Sequence, residues 1–180
     1  MSRPRDPDGR RNALARAAAE IVAEVGIGRA THRAIAARAG VPLGATTYYF
    51  PTLDDLLVAG MQCVAEDYQL ELARWAEIIA SSEDLVGALY ECVRSYLSQE
   101  SRVLVEYELY LAAARNPTLR PLANVWLAGL RDLLMPQLGA QRAEVVSALI
   151  DGLILQSLVT GATPALDRLE VAVRLLGPDD

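Results

Sequence analysis

From Gly28 to Phe50 the chain reads GRATHRAIAARAGVPLGATTYYF, and the spacing of its caps and stops decides the fold. Thr31 offers the side-chain oxygen of a helix N-cap just ahead of an inward-facing set, Ile35, Ala36 and Ala39. Gly40 supplies the left-handed residue that ends such a helix. A second short helix, about Leu43 to Tyr49, follows after only three residues, and Phe50-Pro51-Thr52 closes it. Upstream, a stretch from about Asp8 to Val25 sets Leu14, Ala18, Ile21, Val22 and Val25 on one face and stops at Gly26, the pattern of an amphipathic helix with a glycine stop. Downstream, Thr52 caps a long fourth helix whose first turn holds Asp54 and Asp55, where carboxylates meet the positive end of the helix dipole. Along it Leu57, Met61, Val64, Tyr68, Leu72, Trp75 and Ile79 recur at three- and four-residue steps.

Further helices read as about Asp84 to Gln99, Arg102 to Arg115, Leu119 to Met135, Arg142 to Val159 and Pro164 to Leu176. No strand-like alternation of any length occurs, so the class is all-α with about nine helices. The net charge of -6 hides a split: residues 1–52 hold eight Arg against four acids, and residues 53–180 nine Arg against nineteen. A basic module of 1–52 joined to an acidic body of 53–180 is the expected organisation, and the first part has the charge that phosphates attract. Every apolar run is broken before the ~20 residues of a membrane span, and no secretory leader precedes the first helix. A cytoplasmic protein with no membrane partner is therefore expected.

The chemistry of catalysis is missing from the pattern. Cys63 and Cys92 have neither a second Cys nor a His at metal-ligand spacing and read as buried free thiols. His32, the single histidine, lacks the partners of a triad or a metal site and reads as a surface or phosphate-facing residue. No phosphate-cradling glycine motif occurs. No enzyme activity, metal or cofactor is expected.

Two short helices joined by a short glycine-containing turn form a helix-turn-helix, whose second helix enters the DNA major groove. In cap, turn, second helix and following acidic turn, residues 10–57 resemble the DNA-binding motif of the tetracycline-repressor (TetR) family. The resemblance implies an N-terminal three-helix DNA-binding module, a C-terminal helical domain for ligand binding and dimerisation, and double-stranded operator DNA as partner. It places Thr31, Arg33, Tyr48 and Tyr49 at phosphate or base-edge positions, and Leu43, Gly44, Ala45 and Thr46 on the part of the recognition helix that faces the groove. Thr52, ahead of the exposed N–H groups of the fourth helix, joins this DNA-binding set. The chain departs from the family pattern at Pro42, where a small capping hydroxyl is usual, at Thr47, where an aromatic is usual, and at Leu53, where a Lys is usual. Arg3, Arg5, Arg10 and Arg11 lie beside the module and can replace the missing phosphate contact.

In the acidic body, Val145 to Val159 is apolar around nearly its whole circumference, so the helix must be covered on both sides. The last helix also has two apolar faces. A twofold interface through Leu149, Gly152, Leu153, Gln156, Leu169 and Val173 is expected, in which the last two helices pair with their copies as a four-helix bundle. The body has no Phe, and each of its aromatic residues carries a polar tip. Met61, Tyr68, Trp75, Tyr90, Glu106, Tyr107, Tyr110 and Trp126 are therefore the expected lining of a mostly apolar pocket for a lipophilic small-molecule effector, cationic or rich in hydroxyls. The expectation is a homodimeric repressor released from a palindromic operator by that ligand. The competing readings are a helical protein-interaction body and a constitutive architectural DNA-binding protein.

Overall fold

A computed structural model of the protein describes residues 7–164 and 168–171. The described residues are helical and contain no strand: α1 (Pro7–Val25), α2 (His32–Arg38), α3 (Leu43–Tyr49), α4 (Leu53–Ala80), α5 (Leu85–Leu97), α6 (Glu100–Arg115), α7 (Arg120–Leu138) and α8 (Ala140–Thr160). Short 3-10 turns at Ile27–Arg29 and Pro117–Leu119 precede α2 and α7. Of the expected last helix, residues 168–171 are helical, and Val173 lies outside the described residues. So do Arg3 and Arg5.

The chain divides into two compact units. The first comprises residues 1–66 and 104–122, the second residues 67–103 and 123–180, so α4, α6 and α7 each contribute to both. The first unit extends beyond the expected 1–52 to take in the opening half of α4 and residues 104–122. A Cβ added at Gly60 would lie 3.0 Å from the Ala15 carbonyl oxygen and 3.1 Å from Ala18 Cβ, a close approach at which any larger residue would push α1 and α4 apart by a few tenths of an ångström. Leu14, Ala18, Ile35, Leu56 and Met61 are buried in this unit, and α1 packs on α2 and α2 on α3. Fully burying each Leu or Ile contributes roughly 1.5–3 kcal/mol, which is what holds such short helices in place.

In the second unit α5 packs against α8, and Leu89, Val93, Leu130, Leu134, Val146, Ile150 and Ile154 are buried. Asp84 caps α5 by accepting from Gly87 N–H at 3.0 Å. By length and composition α8 is the one described helix apolar enough to cross a membrane. Here one of its faces is buried, and its Asp151 accepts a hydrogen bond from Trp126 Nε1 at 3.2 Å.

Candidate nucleic-acid interface and ligand site

Local chemistry positions the two short helices much as their spacing predicts. Thr31 accepts from Ala34 N–H at 3.2 Å and so caps α2, and Gly40 takes φ +65° in the turn. Pro42 stands at the N-cap of α3 without a side-chain cap bond. Arg38 binds Glu20 at 3.0 Å and Glu24 at 2.6 Å on α1, so one basic residue beside the turn is neutralised within the unit. Thr31, Arg33, Leu43, Gly44 and Thr52 are exposed, Ala45 and Tyr49 are half-buried, and Tyr48 is 81% exposed with its ring edge-on to Tyr49 at 5.0 Å. Thr46 differs from the expectation. It is fully buried, and its hydroxyl donates to the Leu43 carbonyl at 2.7 Å, so it cannot face a groove. The seven-residue helix turns Thr46 inward and leaves Thr47 exposed beside Tyr48. Thr52 and Asp55 form a reciprocal capping box: Asp55 Oδ2 accepts from Thr52 N–H and hydroxyl, and Thr52 Oγ1 accepts from Asp55 N–H. His32 is half-buried.

Another contact of the first unit was not legible in the sequence. Glu108 of α6 accepts a hydrogen bond from Ile27 N–H at 3.1 Å, satisfying an orphan donor at the start of the turn that leads into α2. Gly26, at φ +79°, brings the backbone close enough that an added Cβ would lie 3.2 Å from Glu108 Oε1.

The eight expected ligand residues fall into both units. Met61, Glu106, Tyr107 and Tyr110 belong to the first, where Met61 and Glu106 are fully buried and the two tyrosine rings meet edge-on at 5.6 Å. Tyr68, Trp75, Tyr90 and Trp126 belong to the second, where Tyr90 is half-buried on α5. There the structure gathers Tyr68, Trp75 and Trp126 with Tyr96, which the expected set omitted. Trp126 is stacked on Tyr96 at 4.8 Å and meets Trp75 at 5.3 Å and Tyr68 at 5.5 Å edge-on.

Beside these rings lies a charged pair that was also unforeseen. The Glu71 side chain is 6% exposed, and its Oε1 accepts from Trp75 Nε1 at 3.2 Å. Its Oε2 pairs with Arg102 Nη1 at 2.8 Å and, more loosely, with Arg74 at 3.6 Å. The Arg102 guanidinium lies over the rings of Tyr96 (5.7 Å) and Tyr68 (5.8 Å) and donates to the Asp67 carbonyl and to Gln99. A cleft of about 200 Å³ lined by Asp67, Leu70, Glu71, Arg74, Gln99 and Arg102 reaches this pair from solvent. Burial pushes the Cys92 thiol up to about 11, with the negative charges of Glu71 and Glu91 adding to the shift, so the thiol stays protonated and unreactive at neutral pH. Cys63 is half-buried. Among the described residues no group of three His, Cys, Asp or Glu could hold a metal ion.

On α8, two of the expected interface residues turn inward. Leu153 is buried within the protomer, as is Leu169 beyond the helix, so both belong to its own core. Leu149 and Gly152 are half-buried and Gln156 exposed. With the exposed Val145, Ala148, Leu155 and Val159 they form a stripe opposite the buried Val146, Ile150 and Leu153. Nothing lies within 4 Å of a Cβ added at Gly152.

Residues 14–59 match bacterial regulatory proteins of the tetR family, and residues 80–178 match the tetracyclin repressor-like C-terminal domain. Among solved structures, the multidrug binding protein EbrR complexed with imidazole is 37% identical, with TM-score 0.80 over 95% of this chain and 96% of that one. The same protein complexed with proflavin is 36% identical, with TM-score 0.73 over 93% and 99%. A member of the TetR family from Streptomyces coelicolor A3 is 37% identical, with TM-score 0.81 over 94% and 99%. No curated protein matches the sequence.

Proposed function

The chain belongs to the TetR family of DNA-binding transcriptional regulators and is not an enzyme, and from that premise we propose that it is a homodimeric repressor released from a palindromic operator by a small lipophilic ligand. The observation that carries ligand control is the cluster of polar-tipped rings around the buried Glu71, with an open cleft beside it. A core built for stability alone gains nothing from a carboxylate there. EbrR is a multidrug binding protein whose structures hold imidazole, proflavin, malachite green and ethidium, the last three of them aromatic cations. The same class of effector suits this chain.

Dimerisation rests on the uncovered α8 stripe, whose apolar side chains and Gly152 suit close pairing with the same helix of a second copy. A twofold dimer presents two α3 helices to half-sites ~34–36 Å apart or multiples of that. Arg33, Leu43, Ala45 and Thr47 supply the base-facing chemistry, while Thr31, Tyr48, Tyr49 and Thr52 hold the backbone. The protein acts where its operator is, in the cytoplasm. Sedimentation combined with gel shifts on the DNA upstream of its own gene, with and without proflavin, tests the reading. A stable monomer at micromolar concentration, or an operator complex that no lipophilic compound dissociates, is the result against it.

A further inference from the structure

We propose that the buried Glu71 carboxylate is the recognition point for a lipophilic organic cation, and that Arg102 occupies this point as a built-in counter-ion which the ligand must displace. The inference rests on the preceding reading that the second unit binds a small effector, and it names the site and the ligand's charge. A carboxylate this buried costs several kcal/mol unless it is paired, and an apolar residue of similar size would serve the core as well or better. Stability alone gives no reason for a carboxylate at Glu71.

The surroundings of Arg102 say what that is. Its guanidinium lies 2.8 Å from Glu71 Oε2 and within 6 Å of the Tyr68 and Tyr96 ring centres. A carboxylate whose counter-ion position lies over two aromatic rings is a recognition set for a delocalised or quaternary cation. The present occupant is one that can leave. Arg102 sits in the first turn of α6, two residues beyond Glu100, where α5 and α6 are joined by Ser98 and Gln99 alone, and its side chain is 20% exposed on a flexible stem.

The cleft on this pair, about 200 Å³, is below the roughly 300–1,000 Å³ of small-molecule sites, so a ligand needs the space Arg102 fills. Leu70, 63% exposed on the cleft, offers its apolar side chain to the ligand's rings. Exchange conserves charge at Glu71: Arg102 regains water while a lipophilic cation loses little hydration. A neutral ring system that ejected Arg102 would leave the carboxylate poorly compensated, and a strongly hydrated ammonium would lose too much water to enter.

Displacement also has a route to DNA binding. Arg102 holds the first turn of α6 to α4 through Glu71 and the Asp67 carbonyl, and the same helix carries Glu108, the acceptor for Ile27 N–H ahead of α2. Ejecting Arg102 frees the first turn of α6, and Glu108 at the middle of the same helix supports the turn into the helix-turn-helix.

The full-length protein, its Glu71→Gln variant and its Arg102→Gln variant are titrated with ethidium and with the uncharged 6-phenylphenanthridine, following fluorescence, with melting curves to confirm folding. The wild type should prefer ethidium by about tenfold or more, ~1.4 kcal/mol. Glu71→Gln should weaken ethidium by at least about tenfold and leave the neutral ring unchanged. Arg102→Gln should tighten ethidium by about tenfold, because the competing cation is gone while Arg74, 3.6 Å away, still faces the carboxylate. A residue pair with only a structural role would give losses of the same sign in both variants, and that result overturns the proposal. So does unchanged ethidium binding in both, or a wild type that binds the two compounds alike. If Glu71→Gln does not fold, the wild-type preference and the Arg102→Gln gain decide the matter. Gel shifts on the same samples separate the two readings: a protein that binds no operator sinks the proposed function, whereas operator release by charged and neutral compounds alike sinks only this site.

Discussion

Replacing Glu108 with Ala removes the carboxylate that accepts from Ile27 N–H across 81 positions of sequence. A hydrogen bond to a charged group contributes ~1.5–3 kcal/mol, and the contact is partly buried, so the lower half of that range applies. The orphaned N–H is near the surface and recovers part of the loss from water. The expected cost is ~1–2 kcal/mol of stability, a fall in melting temperature of roughly 2–8 °C for a chain of this length. Glu108→Gln keeps an acceptor without the charge and should lose about half as much. The functional consequence is sharper than the thermal one. The turn after Gly26 sets where α2 begins, and freeing it lowers the fraction of molecules whose helix-turn-helix is ready to dock, which raises the apparent Kd in proportion. Operator affinity should fall by about five- to tenfold for Glu108→Ala. Gly26→Ala strains the same turn through its φ of +79° and crowds Glu108, so it should act in the same direction. Calorimetry and gel shifts on the three variants test this. Unchanged melting and unchanged operator affinity in Glu108→Ala would refute the claim that the contact supports the DNA-binding module.

Three further outcomes follow from particular contacts. Tyr48 is 81% exposed, so Tyr48→Ala should leave folding within about 0.5 kcal/mol of wild type while lowering affinity about tenfold across operator sequences, as a backbone-positioning contact does; wild-type affinity in a folded variant would mean that α3 is not the recognition helix. Burial pushes the Asp151 carboxyl up from 3.8 to about 6 against the opposing Trp126 N–H, so the folded chain binds an extra proton in that range, and the stability this confers is full below pH ~4 and lost as pH rises through about 6. Asp151→Asn, which keeps an acceptor for Trp126, should therefore gain ~2 kcal/mol relative to wild type between about pH 4 and pH 8, and parallel pH profiles would count against the buried carboxyl. Gly60→Ala gains up to ~1 kcal/mol of helix propensity but sets a methyl against the Ala15 carbonyl and Ala18, so a net loss of ~1–2 kcal/mol is expected by thermal melting.

How much of this was legible in the sequence follows from how far apart the interacting residues stand. The cap at Thr31, the stop at Gly40 and the box at Thr52 and Asp55 are made by residues no more than three or four positions from what they bind, so the short helices could be placed from local chemistry. Thr46 could not be oriented that way. A seven-residue helix poor in large apolar residues has no stripe to show which face goes inward, and Leu43 with Ala45 reads as plausibly buried as Thr46. For α8 the two apolar faces were visible, but their assignment depends on packing of α8 against α5 within the protomer, which took Leu153 inward.

The pairs that bear most on function were the least visible, because each spans a long stretch of chain: 31 positions for Glu71 and Arg102, and 81 for Ile27 and Glu108. A partial signal existed for the first. Glu71 stands at the edge of the apolar stripe of α4, one turn before Trp75 and beside Leu72, where a charged residue breaks the pattern of a helix otherwise built to be buried. Local rules place the elements of this chain, and a charge that violates them marks the site. The expected lining, six polar-tipped rings with Met61 and Glu106, fell into two units, whereas the misplaced carboxylate points to one set of rings, one cleft and one counter-ion.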